Sequence, residues 1–299
     1  MSSVLLETLA LAGIYALVTL SLNFQYGLTG LLNFGQGFLF ALGGYTIAVF
    51  YFHGWPLWLA IVLTPVVGFL GGLLLALPAQ RLNSHYWALM SLGVAELLLG
   101  IMRDGDSIAG GTLGTYGIPR LEPAVLLPIV AVLIILVAVA FERVRRGQFG
   151  RLMRVTREDP VLLAALGRSQ QRIQRLVLGI GGVVAASGGG LLAFWLTLIA
   201  PDVFGLDQVV VVWAMMILGG CGNMLGAVVG ALLFEAIFLG TTYIPEFWFL
   251  NSERTALLQL LIVGLAIVLV LLLRPEGAFP ERKVRHLPKH RPQGAGDAA

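Results

Sequence analysis

The sequence predicts an all-α polytopic membrane helical bundle of about 8–10 transmembrane helices, some of them broken or re-entrant. Three observations carry that prediction. First, only 12% of the 299 residues are charged while 58% are hydrophobic, and the mean hydropathy is +0.89; soluble domains carry roughly 25% charge. Second, the chain holds 38 glycines, a residue costly in soluble helices and common in membrane ones. Third, apolar runs approaching the ~20 residues that cross a hydrocarbon core recur along the chain. This composition excludes an ordinary cytosolic enzyme, a disordered chain and a disulfide-stapled secreted fold. The single cysteine, Cys221, has no internal partner.

Nine stretches qualify or nearly so, at 4–24, 28–52, 56–79, 86–102, 122–141, 173–200, 209–220, 222–244 and 256–273. The run at 209–220 is short, and Gly219, Gly220 and Gly222 separate it from the next, so a half-helix or re-entrant segment is expected there. The first run lacks a basic leader and a small-residue cleavage site and is expected to stay as a helix. Nine arginines fall between Arg143 and Arg175, and both lysines, Lys283 and Lys289, lie in the C-terminal tail. By the positive-inside rule this places the loop 142–172 and a disordered tail, 274–299, in the cytoplasm, with residues 1–273 as the membrane domain. Such basic segments read as solvated loops rather than nucleic-acid sites. The outer segments 53–56, 103–121, 201–208 and 245–255 then carry only Arg103, Arg120 and Arg254. Trp55, Trp58, Trp195, Trp213 and Trp248 fall near outer ends and Trp87 near an inner one, as interfacial tryptophans do. Nine crossings put the N-terminus outside and the C-terminus inside.

Small residues recur at four-residue spacing, which stacks them on one helix face where a neighbour packs closely. Gly222, Gly226 and Gly230 form one such stripe, Gly182, Ala186 and Gly190 a second, and Gly68, Gly72 and Ala76 a third. Ionisable residues inside spans are costly and often functional. Glu96 and Glu235 are the two clear cases, each open to a solute or gating role or to a structural bond with a neighbouring helix. Asn33 and Gln36 add amides to a glycine-rich stretch that can break a helix near a translocation path. No chain of Asp, Glu, His and Lys suits a proton-coupled pump, and no catalytic constellation is present. The four histidines, His53, His85, His286 and His290, lack metal-ligand spacing. Neither lysine follows the glycine-rich loop that cradles nucleotide phosphates.

The most specific local signal lies in the basic loop, from Glu158 through Asp159, Pro160, Val161, Leu162, Leu163, Ala164, Ala165 and Leu166 to Gly167. Asp159 caps a helix whose first turn begins at Pro160, where the missing N–H costs nothing. Gly167 ends it in a left-handed conformation. A helix of two turns or fewer does not persist alone, so its apolar side chains need a surface. The pattern points to docking in a partner's groove.

At these residues the chain resembles the permease subunits of the branched-chain amino-acid family of ABC importers, over nearly its whole length. The resemblance is carried by Asn23–Gly37 with Gly43-Gly44-Tyr45-Thr46, Ala95-Glu96, Gly110-Gly111-Thr112 with Gly117-Ile118-Pro119, Ala164–Gly167, Leu218-Gly219-Gly220 and the closing Arg274-Pro275-Glu276-Gly277. The opening and closing patterns look more like the leucine/isoleucine/valine M-type subunit than its H-type partner, and urea and short-amide permeases are closely similar. The resemblance implies a heterodimer with a second homologous permease, two cytoplasmic ATPase subunits that bind ATP and Mg, and an extracytoplasmic solute-binding protein. It implies a bacterial inner-membrane location, no cofactor in this chain, and Glu158–Gly167 as the element seated on an ATPase. Inward transport then proceeds by alternating access. Against this stand a passive channel for a small neutral solute, which needs no docking helix, and a membrane-embedded enzyme, which needs a catalytic set. Replacing Leu163 and Ala165 by Asp is expected to abolish uptake and leave the bundle folded.

Overall fold

The computed structural model describes residues 2–79, 84–242, 261, 264–265, 268, 272 and 277–279. Along the chain run α1 (Ser2–Leu22), a π-helical turn (Asn23–Gly27), α2 (Gln36–Phe52), α3 (Leu57–Ala79), α4 (Ser84–Asp104), α5 (Asp106–Ala109), β1 (Thr115–Tyr116) and α6 (Pro123–Arg146). Then come α7 (Gln148–Glu158), α8 (Pro160–Ala165), α9 (Gln170–Leu196), β2 (Leu198–Ile199), α10 (Leu206–Gly219) and α11 (Met224–Thr242). Among the described residues six helical segments are long and apolar enough to cross a membrane, and the helices at Gln36–Phe52 and Met224–Gly240 are shorter apolar ones. Helical backbone recurs at residues 261, 264, 265, 268 and 272. The rest of the ninth expected span lies outside the described residues, as do Trp248, Arg254, Lys283, His286, Lys289 and His290.

The core is built around α9, which α1, α2 and α3 enclose. Its glycines set the spacing. A Cβ on Gly182 would collide with the Gly68 carbonyl of α3, one on Gly68 with Gly182, and one on Gly43 of α2 with the carbonyl of Ala186. The close pairs Gly68–Gly182 and Gly72–Leu178 run in opposite order along the two helices, so α9 lies antiparallel to α3. Lipid tails are as apolar as leucine, so contact of this closeness is where cohesion between membrane helices comes from. A Cβ on Gly190 would meet Thr64 and Ile47 only at ordinary contact distance, the nearest atom at 3.4 Å. A second tight pair joins α10 to α11, where a Cβ on Gly219 would strike the Gly226 carbonyl and one on Gly230 the Met215 carbonyl.

Three expectations change. Gly222 does not continue the Gly226 and Gly230 stripe, because α11 begins only at Met224 and Gly222 sits in the preceding break at φ +85°. The stretch 28–52 is not one helix: the chain turns at Gly30, with φ +68°, and α2 starts at Gln36. Polar Asn33 and Gln36 are drawn to partners across the bundle, and that competes with a continuous helix. Trp213, 9% exposed, is a core residue rather than one at an outer end; Trp87 lies near the start of α4, as expected, and is buried there at 1% exposed. Trp213 sits midway along α10, stacked on Phe34 at 5.1 Å with Tyr26 edge-on at 5.0 Å. The expected short segment at 209–220 is α10, 14 residues preceded by a 3-10 turn at Pro201–Phe204.

Of the tail, Gly277–Phe279 pack against the end of α10. The N–H groups of Ala278 and Phe279 donate to the carbonyls of Leu218 and Gly219, both at 3.0 Å. These carbonyls belong to the last turn, which has no intrahelical donors. At the end of the bundle opposite the Arg-rich loop, β1 and β2 form an antiparallel ribbon pairing Thr115 with Ile199. Arg103 bridges to Asp202 at 3.3 Å and Arg120 to Glu7 at 3.0 Å across the same end.

This packing yields a contrast. Gly182→Ala is expected to force α9 from α3 and lower the melting temperature in detergent, at about 1–3 kcal/mol. Gly240→Ala, where the added carbon meets nothing within 4 Å, is expected to leave it unchanged or slightly raised.

Candidate functional site: a short capped helix and buried amides

The Arg-rich segment folds as two short helices at one end of the bundle. In α7 the residues Gly150, Met153 and Thr156 are buried, three apart on one face. Glu158 ends that helix, and Asp159 opens the next by accepting from the N–H groups of Val161 and Leu162, both at 3.0 Å. Pro160 holds the first position, and Gly167 closes the helix at φ +68° with its N–H on Ala164 at 2.9 Å. Six residues thus form α8. Its faces divide: Leu163 is fully buried among Phe24, Leu28, Met153 and Ile173, while Val161 is 79%, Leu162 48% and Leu166 59% exposed. Ala164 and Ala165 are also exposed. Leu163 therefore anchors α8 to its own bundle, and an Asp there would disturb the fold itself. The double Asp variant expected to spare the bundle would therefore not spare it, and the outward set is Val161, Leu162 and Leu166.

Above this end lies a cluster of uncharged polar side chains, all closed to solvent. Ser21, Gln25 and Asn33 are 0% exposed and Gln36 1%. Asn33 Nδ2 donates to Gln25 Oε1 at 2.6 Å, and Gln25 Nε2 donates to Ser21 Oγ at 3.1 Å and Gln36 Oε1 at 3.2 Å. Gln36 Nε2 donates to Ser21 Oγ at 3.0 Å and to the Val18 carbonyl at 3.2 Å, and Ser21 donates to the Gly181 carbonyl at 2.7 Å. The network ties α1 to the start of α2 and to α9. Of its polar atoms, Asn33 Oδ1 is buried without a partner.

Asn23, at the start of the π turn, uses its amide differently. Its Oδ1 accepts from the Gly222 N–H at 2.8 Å and its Nδ2 donates to the Asn223 carbonyl at 2.9 Å, holding the break between α10 and α11. Arg157, in the last turn of α7, donates from Nη1 to the carbonyl of Gly27 at the end of the same turn.

The four residues expected along a path do not converge. Asn33 and Gln36 meet in the network. Glu96 stands apart on α4, half-buried, near Gly93 and Gly100, whose Cβ positions would meet nothing within 4 Å, and near Leu97, which is exposed. Glu235 on α11 is buried, within electrostatic range of Tyr15, whose hydroxyl donates to Gln208 at 2.9 Å. Ser21 and Gln25 are not flagged by the sequence reading, although their i, i+4 spacing on one helix face is a visible signal. Asn23 is masked there by its neighbours in an apolar run. Among the described residues no three His, Cys, Asp or Glu side chains gather as a metal site would require.

Comparison with known proteins agrees in scale with these features. The family described as branched-chain amino acid transport system / permease component matches residues 4–271. The high-affinity branched-chain amino acid transport permease LivM of Salmonella typhimurium is 27% identical, the alignment covering 89% of this chain and 68% of that one. A probable LivM of Methanocaldococcus jannaschii is 25% identical, over 91% of this chain and 92% of the relative. LivH of Salmonella typhimurium is 25% identical over 92% and 94%. No solved structure matches significantly. This multi-pass bundle, matched by the family model over nearly its full length, belongs to the branched-chain amino-acid transport permease family.

Proposed function

We propose that this chain is a transmembrane subunit of an ATP-driven importer that moves a small polar solute inward by alternating access. A branched-chain amino acid is the favoured solute, with urea or a short amide as the alternatives. The observation that carries the reading is α8. A six-residue helix capped at both ends, anchored inward by Leu163 and presenting Val161, Leu162 and Leu166 outward, is built to be held by another protein. A passive channel has no use for it.

In this reading the Arg-rich end faces the cytoplasm of a bacterial cell, with the C-terminus on the same side. Two ATPase subunits bind there, carrying ATP and Mg, and Glu158–Gly167 seats on one of them. The β1–β2 end faces outward and receives the solute-binding protein. The second permease packs on the face of α4 that carries Glu96, since a half-buried carboxylate set against lipid is costly and Gly93 and Gly100 leave room for a close neighbour. Glu96 then borders the solute path between the two permeases. Glu235 offers a buried carboxylate about 16 Å along α11 from Met224, suited to the ammonium group of an amino acid, and Asn33 and Gln36 complete the polar lining when the bundle changes state.

Docking and path are tested separately. The pair Val161→Asp and Leu166→Asp is expected to leave the melting temperature unchanged while co-purification of the ATPase subunits is lost. Uptake should then fall at least about tenfold, as loss of interface anchors does. Full retention of the ATPases by that variant would remove the docking assignment and bring the channel forward. Leu163→Ala, by contrast, is expected to lower the melting temperature at a cost of about 2–5 kcal/mol. For the path, Glu235→Gln is expected to cut uptake about tenfold or more, a bond to a charged group being worth about 1.5–3 kcal/mol. The ATPase subunits should stay bound. Wild-type uptake in Glu235→Gln would confine this carboxylate to a structural role.

A further inference from the structure

The π turn Asn23–Gly27 holds three separate parts of the molecule with three different groups. A π turn is rare, and those that occur are frequent at functional sites. Its final carbonyl, Gly27, lies where the helix ends and has no onward backbone donor guaranteed to it; the Arg157 guanidinium of α7 supplies one. The chain then wraps the arginine, since a Cβ on Gly30 would come within 2.9 Å of Arg157 Cγ. At the other end of the turn, Asn23 grips Gly222 and Asn223 at the break between α10 and α11. In the middle, Gln25 enters the buried network that reaches α2 through Gln36 and α9 through Ser21. Phe24 of the same turn stacks on Phe141 of α6 at 4.1 Å and shares a cluster with Leu163 of α8.

Helices packed through glycine backbones have no alternative arrangement of similar closeness. A turn held by amide and guanidinium bonds has one where a neighbouring polar group can take up each bond, and here Ser21, Gln36 and the partnerless Asn33 Oδ1 lie in one network with Gln25. We infer that the π turn is the joint through which displacement of α7 and α8 enters the bundle, and that Arg157 is the positioning residue that fastens the turn to them. This rests on the docking role given above to α8. Motion of α7 pulls Gly27; Asn23 passes it to the α10–α11 break, and Gln25 passes it to α2 and α9. Arg157 touches neither solute nor nucleotide in this scheme.

The test uses the complete importer in vesicles, with leucine-loaded binding protein, and reads three quantities: ATPase subunits retained, ATP hydrolysis without binding protein, and its stimulation when loaded binding protein is added. Arg157→Ala is expected to retain the ATPases and unstimulated hydrolysis while the stimulation and the leucine moved per ATP fall about tenfold, a common size for coupling between sites. Arg157→Lys, which still offers a donor to Gly27, is expected to recover part of the loss. Asn23→Ala is expected to lose stimulation similarly. The double variant should be little worse than either single one, since groups acting in one chain are not additive. Normal stimulation in Arg157→Ala, or losses that multiply in the double variant, would overturn the assignment. Should Arg157→Ala not assemble, Asn23→Ala decides, normal stimulation there being equally fatal. Failure of the wild type to retain any ATPase would instead defeat the docking reading beneath it.

Discussion

Hydrocarbon offers no hydrogen bonds, so every departure from regular helix within the bundle must be repaired by the protein itself. Two departures organise this molecule. One is the stretch from the π turn to the start of α2, and the other is the break at Gly220–Asn223. The first helps to repair the second, because the Asn23 carboxamide serves both the Gly222 N–H and the Asn223 carbonyl. Further repair comes from Arg157, from the Gln25 network, and from the backbone of Ala278 and Phe279 on the last carbonyls of α10. An unmet buried group costs about 1–3 kcal/mol, so these partners are required for the irregular backbone to exist at all.

Two kinds of cohesion result. The group α2, α3 and α9 is held by glycine backbones in direct contact, as at Gly68 and Gly182. Dispersion over such surfaces falls off within an ångström, which makes the group rigid. Around the π turn after α1 polar holds are added to the apolar packing, and they are concentrated at broken backbone. A transporter needs both, a frame and a part that moves against it. The unpartnered acceptor of the amide network, Asn33 Oδ1, lies in the polar half.

Much of this was legible in the sequence. The spans were, because membrane thickness imposes length and apolarity. So was α8, because Asp159, Pro160 and Gly167 state their roles by type and spacing alone. The division of 28–52 was not: Gly30 and the amides of Asn33 and Gln36 signal a possible break, yet its position depends on partners in α1 and α9. Trp213 was misplaced for a related reason. An indole at the edge of an apolar run reads as interfacial until Phe34 and Tyr26, brought close only by the fold, are seen to enclose it. The inward turn of Leu163 was hidden too, since a six-residue helix has no periodicity long enough to reveal which face is anchored.

That anchoring has a mechanical consequence. A helix shorter than two turns has little stiffness of its own, and if α8 were tethered only by its flanking chain, movement of a bound partner would be absorbed in the loop. Leu163 prevents this by seating α8 in the cluster that contains Phe24 and Leu28. Arg157, two residues before the Asp159 cap, fixes the end of α7 to the Gly27 carbonyl that lies between those two side chains in the sequence. One hold is apolar and without direction, suited to keeping contact as helices shift. The other is a directed bond from a long side chain, suited to fixing register. Under the docking role proposed for α8, these two holds tie its outward face to the interior turn that carries Asn23 and Gln25.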